Sequence, residues 1–199
     1  MPEPIQLSPV AVAALALLVE GEMHPYEMYQ LMLQRKEDRV VKVSAGTLYR
    51  AVERLEQDGL IASRGVERSG NRPERTVYAI TDAGLQAMRA AVADRLRRYE
   101  NEYPQFPLAI GEAHNLPVDQ VIALLEERRA SLAELRDFVH ESLEGIAARG
   151  VDRRYVLNVH YWETMLAAED AWLVELLGEL RDGSLAWPDP DSVGATAGH

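Results

Sequence analysis

The sequence predicts a mainly α-helical protein, with an N-terminal domain of three short helices and a β-hairpin and a C-terminal domain of long helices. Three observations predict this architecture: a short helix with both ends marked near residues 44 and 59, two β-rich segments around a polar turn, and two long segments whose apolar residues recur every seven positions. With 199 residues, 47% of them hydrophobic, the chain has room for two domains with cores of their own.

Composition argues against several kinds of chemistry. The chain has no cysteine, which excludes disulfides, thiolate metal sites and cysteine nucleophiles. The N-terminus lacks the basic region of a signal peptide, and the apolar run at 10–19 is too short to cross a bilayer, so we expect a cytoplasmic protein without membrane contact. Gly-rich phosphate loops and nucleophile elbows are missing, and His160 and Glu163 reverse the Glu-x-x-His order of di-iron bundles. We therefore expect no enzyme, cofactor or metal.

The net charge of −11 at first argues against a nucleic-acid partner, but the charge is unevenly distributed. Residues 35–75 hold ten Lys and Arg against seven Asp and Glu, whereas residues 83–199 hold eleven against twenty. The acidity therefore belongs to the C-terminal part of the chain, and the segment 35–75 is locally basic.

Two short helices are predicted first. Ser8 and Pro9 form a helix start, with the serine as cap and proline at the first helical position, and the apolar pattern continues to Gly21. Because this helix is apolar nearly all round, we expect it to lie at the centre of a small domain. A second short helix is predicted from His24 to Leu33, with Pro25 near its first turn.

The third helix has a distinct cap at each end. Ser44 is a good N-cap, and Gly59 can take the left-handed conformation that ends a helix. One face is apolar, with Leu48, Val52 and Leu55 at helical spacing. The opposite face carries Gly46, Thr47, Arg50, Arg54 and Gln57. Such a face suits a DNA major groove, although a solvated surface helix has a similar pattern.

A β-hairpin is predicted next, with strands at 60–66 and 76–80 and a polar turn rich in Gly, Asn and Pro between them. Three helices followed by a hairpin is the order of a winged helix-turn-helix domain. Arg68, Arg72 and Arg75 lie in the turn, where they could reach phosphates or a minor groove; a soluble, exposed turn is the simpler interpretation of these three alone.

The C-terminal part is predicted to be helical. One amphipathic helix runs from 81 to about 99, the segment 103–107 breaks it, and a short helix is expected at 108–115. We place the DNA-binding domain with its trailing helix at 1–100, a helical dimerisation domain at 101–182 and a disordered tail at 183–199.

Two longer helices are predicted inside that second domain, and each has a sevenfold apolar seam. The seams consist of Val118, Leu125, Leu132, Val139 and Ile146 in the first and Val159, Leu166, Leu173 and Leu180 in the second. They could close on each other as an antiparallel hairpin or on a second copy of the chain. Further apolar residues beside both seams favour a homodimer.

Five motifs in order resemble the PadR family of bacterial transcriptional regulators. They are the stretches 15–21, His24-Pro25-Tyr26-Glu27, Ser44-Ala45-Gly46-Thr47-Leu48-Tyr49, 53–61 and 78–84, and together they cover roughly residues 10–90. Pro25 stands where the family usually has glycine, but proline suits a first helical turn, so the helix should persist. The C-terminal stretches 160–163 and 169–173 are similar to the dimerisation domain of larger family members.

The resemblance implies a homodimeric repressor that binds an inverted repeat in double-stranded operator DNA. The residues implied in DNA binding are Tyr26, Lys42, Ser44, Thr47, Tyr49, Arg50, Arg54, Arg68, Arg72 and Arg75. Ser44 and the first-turn amides would hold a phosphate, Tyr49 and Lys42 would position the backbone, and the wing arginines would add salt-dependent affinity. Thr47 and Arg50 are the predicted base contacts, with half-sites about 34 Å or a multiple apart.

A cluster of large side chains on the last helix has two interpretations. Its members are Tyr155, Tyr161, Trp162, Met165 and Trp172. They can pack a core and a dimer interface, or they can line a pocket between the domains for a flat, aromatic or apolar effector, since some relatives respond to aromatic acids or cationic drugs. A different class also stays open, in which the winged helix is an adaptor that binds another protein and no DNA.

Overall fold

The structure is a computed structural model that describes residues 6–67, 75–100 and 102–188. The chain divides into two compact units, Met1–Asn101 and Glu102–His199. Within the described ranges, no helix combines the length and the apolar character needed to cross a membrane.

The N-terminal unit has the predicted order of elements. It consists of α1 (Pro9–Glu20), α2 (Pro25–Gln34), α3 (Ala45–Gln57), β1 (Ile61–Glu67), β2 (Arg75–Ile80) and α4 (Asp82–Arg97). The two strands pair in antiparallel fashion, from Ile61 opposite Ile80 to Glu67 opposite Arg75. A single bridge between Met23 and Tyr78 adds a third, one-residue edge to this sheet. The predicted winged helix-turn-helix fold is confirmed.

Helix α1 lies at the centre of the N-terminal core, as its nearly continuous apolar sequence predicts. The Ser8 hydroxyl caps it by accepting a hydrogen bond from the Ala11 amide at 3.2 Å, and Leu15 is completely buried. Buried side chains from the other elements join the same core: Met28, Met32, Leu48, Val52, Leu55, Leu60 and Ile61. Because the apolar stripe of α3 is in this core, the opposite face of α3 is left to solvent.

The turn after α3 is connected to α4 by the side chain of Thr81. Gly59 has φ +69°, the left-handed conformation predicted for it. The Thr81 hydroxyl donates to the Gly59 carbonyl at 2.9 Å and accepts from the Gly84 amide at 3.0 Å, so it caps α4 and fixes α4 to the end of α3. Position 84 requires glycine, because a Cβ there would overlap the carbonyl oxygen of Leu60.

The C-terminal unit is built on an antiparallel helical hairpin. It contains α5 (Gln105–Gly111), α6 (Val118–Ala148) and α7 (Leu157–Asp182). Glu126 near the start of α6 pairs with Arg181 at the end of α7, while His140 further along α6 lies near Glu163. The two sevenfold seams thus close on each other within one chain. Their buried members share one core: Val121, Leu125, Leu132, Val139, Leu166, Leu173, Leu177 and Leu180.

Three boundaries in this unit differ from prediction. Helix α5 begins at Gln105 and not at 108, because Pro104 precedes it and Pro107 is tolerated in its first turn. The apolar pattern predicts the last helix from about Asp152, whereas α7 begins at Leu157, after a 3-10 turn at Arg153–Tyr155. The tail predicted from 183 is ordered as far as 188: the Trp187 indole donates to the Leu116 carbonyl at 2.9 Å and packs on the core. Residues 189–199 lie outside the described ranges.

Candidate nucleic-acid interface

The start of α3 is closed by a reciprocal network between Ser44 and Thr47. The Thr47 amide donates to the Ser44 hydroxyl at 3.2 Å, and the Ser44 amide donates to the Thr47 hydroxyl at 2.8 Å. The Thr47 hydroxyl in turn donates to the Ser44 carbonyl at 2.9 Å. This is a capping box in which threonine takes the position usual for Glu or Gln. The hydroxyl of Thr47 is therefore committed to the cap, and its methyl group remains for any further contact.

The solvent face of α3 presents two arginines without partners. Arg50 and Arg54 are both exposed, and neither side chain makes a hydrogen bond or ion pair with another described residue. They stand four residues apart, which places them on the same side of the helix one turn from each other. Nothing lies within 4 Å of the space that a Cβ would fill at Gly46, so the first turn is open to close approach. Lys42, also exposed, precedes the cap.

A second capping box joins the start of α2 to α3. The His24 Nδ1 accepts from the Tyr26 amide at 3.0 Å, and the Glu27 carboxylate accepts from the His24 amide at 2.9 Å. The His24 ring also meets Tyr49 edge-on, with 6.2 Å between ring centroids and an interplanar angle of 72°. Pro25 occupies the first turn, and the helix is intact as predicted. Tyr26 and Tyr49 keep 48% and 39% of their surface exposed.

Sequence reasoning had missed this function of His24. The signal was present, because a polar residue before a helical proline, with Glu three positions after it, has capping-box spacing. Histidine is not among the preferred N-cap residues, so the pattern did not stand out.

The wing is attached to α3 through its second strand. The Tyr78 hydroxyl donates to the Glu56 carboxylate at 3.2 Å. Burial, followed by the negative charge of Glu56, raises the pKa of Tyr78 above its usual value. The strand register shifts between Ser63 and Gly65, and Arg64 at this bulge pairs with Glu22 at 3.4 Å.

The predicted wing arginines are not placed by the structure. Arg68 and Arg72 lie outside the described residues, and Arg75 is described only as part of the backbone of β2. Their contact with DNA stays a prediction.

The cations of the basic segment 35–75 fall into two groups. Arg35 forms a double hydrogen bond with the Glu20 carboxylate, at 2.5 and 2.6 Å, and this pairing lowers the pKa of Glu20. Arg64 is paired as well. The arginines of α3 are not paired within the described residues, so their positive charge is available for another partner.

The five side chains considered for an effector pocket have different environments. Trp162 packs partly buried against the C-terminal core, and Trp172 meets Phe106 edge-on at 6.2 Å. Tyr155 and Tyr161 are 73% and 67% exposed, and Met165 is 44% exposed. Among the described residues, no group of three or more histidines and carboxylates is arranged to hold a metal ion.

The fold and this surface define a class of protein, the winged helix-turn-helix proteins. Residues 14–90 match the model of a family described as "Transcriptional regulator PadR-like family". No curated protein matches the chain at a significant level.

Solved structures extend the similarity to both units. Bacillus subtilis PadR in complex with operator DNA has a TM-score of 0.74 and 19% identity, over 87% of this chain and 99% of that one. Bacillus subtilis PadR in complex with p-coumaric acid has a TM-score of 0.72 and 18% identity, over 86% and 98%. The protein smu.1604c from Streptococcus mutans UA159 has a TM-score of 0.61 and 21% identity, over 86% and 99%. At these identities the similarity establishes the fold: a winged helix followed by a C-terminal helical region.

Proposed function

We propose that this protein is a cytoplasmic transcriptional regulator that binds specific DNA sequences through α3. The observation that carries the proposal is the pair of exposed, unpartnered arginines on α3, in the basic segment of an acidic chain. The PadR-like domain at 14–90 supports it, since the family is one of transcription regulators and not of enzymes.

Helix α3 can divide its contacts between phosphate and bases. Its N-terminal amides and the positive end of its dipole suit a phosphate beside Ser44. One turn further on, the Arg50 guanidinium can donate two parallel hydrogen bonds to a guanine, the commonest specific contact in a major groove. Thr47 would then contribute its methyl group, which matches the methyl of thymine and needs no hydroxyl. Arg54, Lys42, Tyr26 and Tyr49 would bind the backbone.

We propose further that the active form is a homodimer on an inverted repeat. Helix α7 has an exposed apolar stripe formed by Leu157, Tyr161, Met165 and Trp172, which are between 44% and 67% exposed. A stripe of this kind is costly to leave in water, and a second copy would cover it. Two copies would present two α3 helices to successive major grooves, about 34 Å or a multiple apart.

A repressor that responds to a ligand is the regulatory mode we propose. The support is the fold shared with Bacillus subtilis PadR, which has been solved with operator DNA and with p-coumaric acid. We propose that an aromatic or apolar effector binds this protein and changes its affinity for DNA. Titration of tryptophan fluorescence with aromatic acids tests this, because all three tryptophans lie in the C-terminal unit.

Mobility shift on the DNA upstream of the protein's own gene tests the main proposal. We expect a discrete complex that survives excess random competitor and a footprint with two protected half-sites. Failure to retain any complex against competitor would favour the alternative, an adaptor whose winged helix binds another protein.

A further inference from the structure

The turn of the α6–α7 hairpin borders a cavity, open to solvent, that the proposed DNA-binding function does not use. Its volume is about 350 Å³, at the lower end of the range for small-molecule sites. It is lined by Leu143, Glu144, Ile146, Ala147, Val151, Arg153, Val156 and His160. The aliphatic side chains supply most of the lining, and the polar ones are Glu144, Arg153 and His160, which is the composition of a site for a small amphipathic molecule.

The two opposite charges at the cavity lie on different elements of the hairpin. Glu144 lies on α6, whereas Arg153 lies in the 3-10 turn that precedes α7. The Arg153 side chain makes no hydrogen bond or ion pair with another described residue, although its neighbour Arg154 is held by Asp152 at 2.7 Å. Glu144 has only a 3.5 Å approach from the exposed ring of His140. One anionic and one cationic group are therefore available at the same cavity.

The helix ends beside the cavity have the same polarity as these side chains. The C-terminal turn of α6, which carries partial negative charge, contributes Ile146 and Ala147. The N-terminal turn of α7, which carries partial positive charge, follows Val156, whose side chain cannot cap the first amides. The α6 side thus carries the Glu144 carboxylate and the α7 side the Arg153 guanidinium, with an aliphatic lining between them.

We propose that this cavity binds an aliphatic α-amino acid. Its ammonium would lie on the α6 side with Glu144, its carboxylate on the α7 side with Arg153, and its side chain on Leu143, Ile146 and Val156. A simple carboxylate would leave Glu144 unmatched, and a simple amine would leave Arg153 unmatched. A zwitterion has both an ammonium and a carboxylate, so it can pair with Glu144 and with Arg153.

Isothermal titration of the full-length protein with L-leucine tests the proposal without any DNA, so its outcome is independent of the proposed regulatory function. We expect saturable binding at one site per chain. Two analogues define the class: leucinamide lacks the carboxylate and 4-methylpentanoate lacks the ammonium, and both should bind at least about tenfold more weakly, the scale of a charge-assisted hydrogen bond.

Arg153→Gln should weaken leucine binding by about tenfold or more, and Glu144→Gln should reduce the preference for leucine over 4-methylpentanoate. Arg149→Gln is the matched control, since Arg149 is also an exposed arginine of the hairpin turn but does not line the cavity. Unchanged thermal unfolding would show that the variants fold. Absence of saturable binding, equal binding of 4-methylpentanoate, or equal losses in Arg153→Gln and Arg149→Gln would each overturn the proposal.

Discussion

Arginines are used in opposite ways on α3 and on α6. On α3 of the N-terminal unit, Arg50 and Arg54 are exposed and make no ion pair with a described residue. On α6 of the C-terminal unit, Arg128, Arg129 and Arg136 are each bonded to a carboxylate of α7, at 2.7, 2.9 and 2.7 Å. Both helices are amphipathic and both have a charged outer face.

The difference distinguishes arginines that stabilise the fold from arginines that can bind a partner. A guanidinium that already has a carboxylate partner cannot bind phosphate or guanine without losing that partner. The paired arginines of α6 thus contribute to the helical hairpin, and the unpaired ones of α3 retain their full hydrogen-bonding capacity. This is how a chain of net charge −11 can present a cationic surface to DNA.

The largest expected effect comes from the C-terminal core. Leu173 is fully buried between α6 and α7, so Leu173→Ala should lower the free energy of unfolding by about 2–5 kcal/mol through lost contacts and the cavity left behind. Urea unfolding followed by tryptophan fluorescence measures this. Val174→Ala is the control: Val174 is 48% exposed on the same helix, and the cost should stay within about 0.5 kcal/mol.

Two substitutions of Thr47 separate its function in the cap of α3 from its proposed contact with DNA. Thr47→Val keeps a methyl group but removes the hydroxyl, so it should destabilise the protein by about 0.5–2 kcal/mol. Thr47→Ser keeps the hydroxyl and should leave stability unchanged while weakening DNA binding. Thermal unfolding and DNA titration of both variants check this, and equal stability of the two would show that the capping box contributes nothing.

Substitutions of Asp170 and Arg54 test whether paired charges stabilise the fold and unpaired charges bind DNA. Asp170 bridges Arg129 and Arg136 and is 22% exposed, so Asp170→Asn should cost about 0.5–1 kcal/mol of stability and leave DNA affinity unchanged. Arg54→Ala should leave stability unchanged and weaken DNA binding. Denaturant unfolding and DNA titration are run on both variants, and a stability loss in Arg54→Ala would contradict the division.

The smallest effect is the pH dependence of the Glu20–Arg35 pair. Because Arg35 lowers the pKa of Glu20 below 4.5 in the folded state, the stabilisation is present above that pH and is lost as the pH falls through the lowered pKa. Both side chains are 40–51% exposed, so a few tenths of a kcal/mol are expected. Glu20→Gln should be less stable than the parent at pH 7, and the two should converge as the pH falls through the lowered pKa of Glu20. If the stability difference between Glu20→Gln and the parent did not change with pH, the ion pair would not be its origin.

Much of the fold could be predicted from local rules. The caps at Ser8 and Ser44 and the left-handed Gly59 follow from side-chain chemistry and glycine geometry within a few residues. The core faces followed from apolar periodicity. Whether the two seams closed on each other or on a second copy did not follow, because an a/d pattern is the same in both cases.

The rest depends on contacts between distant residues. Trp187 is held by Leu116, 71 positions away, so a segment that looks like a tail is part of the domain. The contact of His24 with Tyr49 and the bulge at Arg64 likewise have no local signal. At the candidate DNA surface, sequence alone assigned Thr47 to the base-contacting face, but only the structure shows that its hydroxyl belongs to the cap.

The most direct test of the account is the affinity of Arg50→Ala for operator and for random DNA, measured by fluorescence anisotropy over a range of salt concentrations. Arg89→Ala is the control, since Arg89 is an exposed arginine on α4 of the same unit. We predict that Arg50→Ala loses about 1–3 kcal/mol on operator DNA, much less on random DNA, and that Arg89→Ala changes neither. Equal losses on both DNAs would make Arg50 a phosphate contact, and no loss on either would contradict the assignment of α3 as the DNA-reading helix.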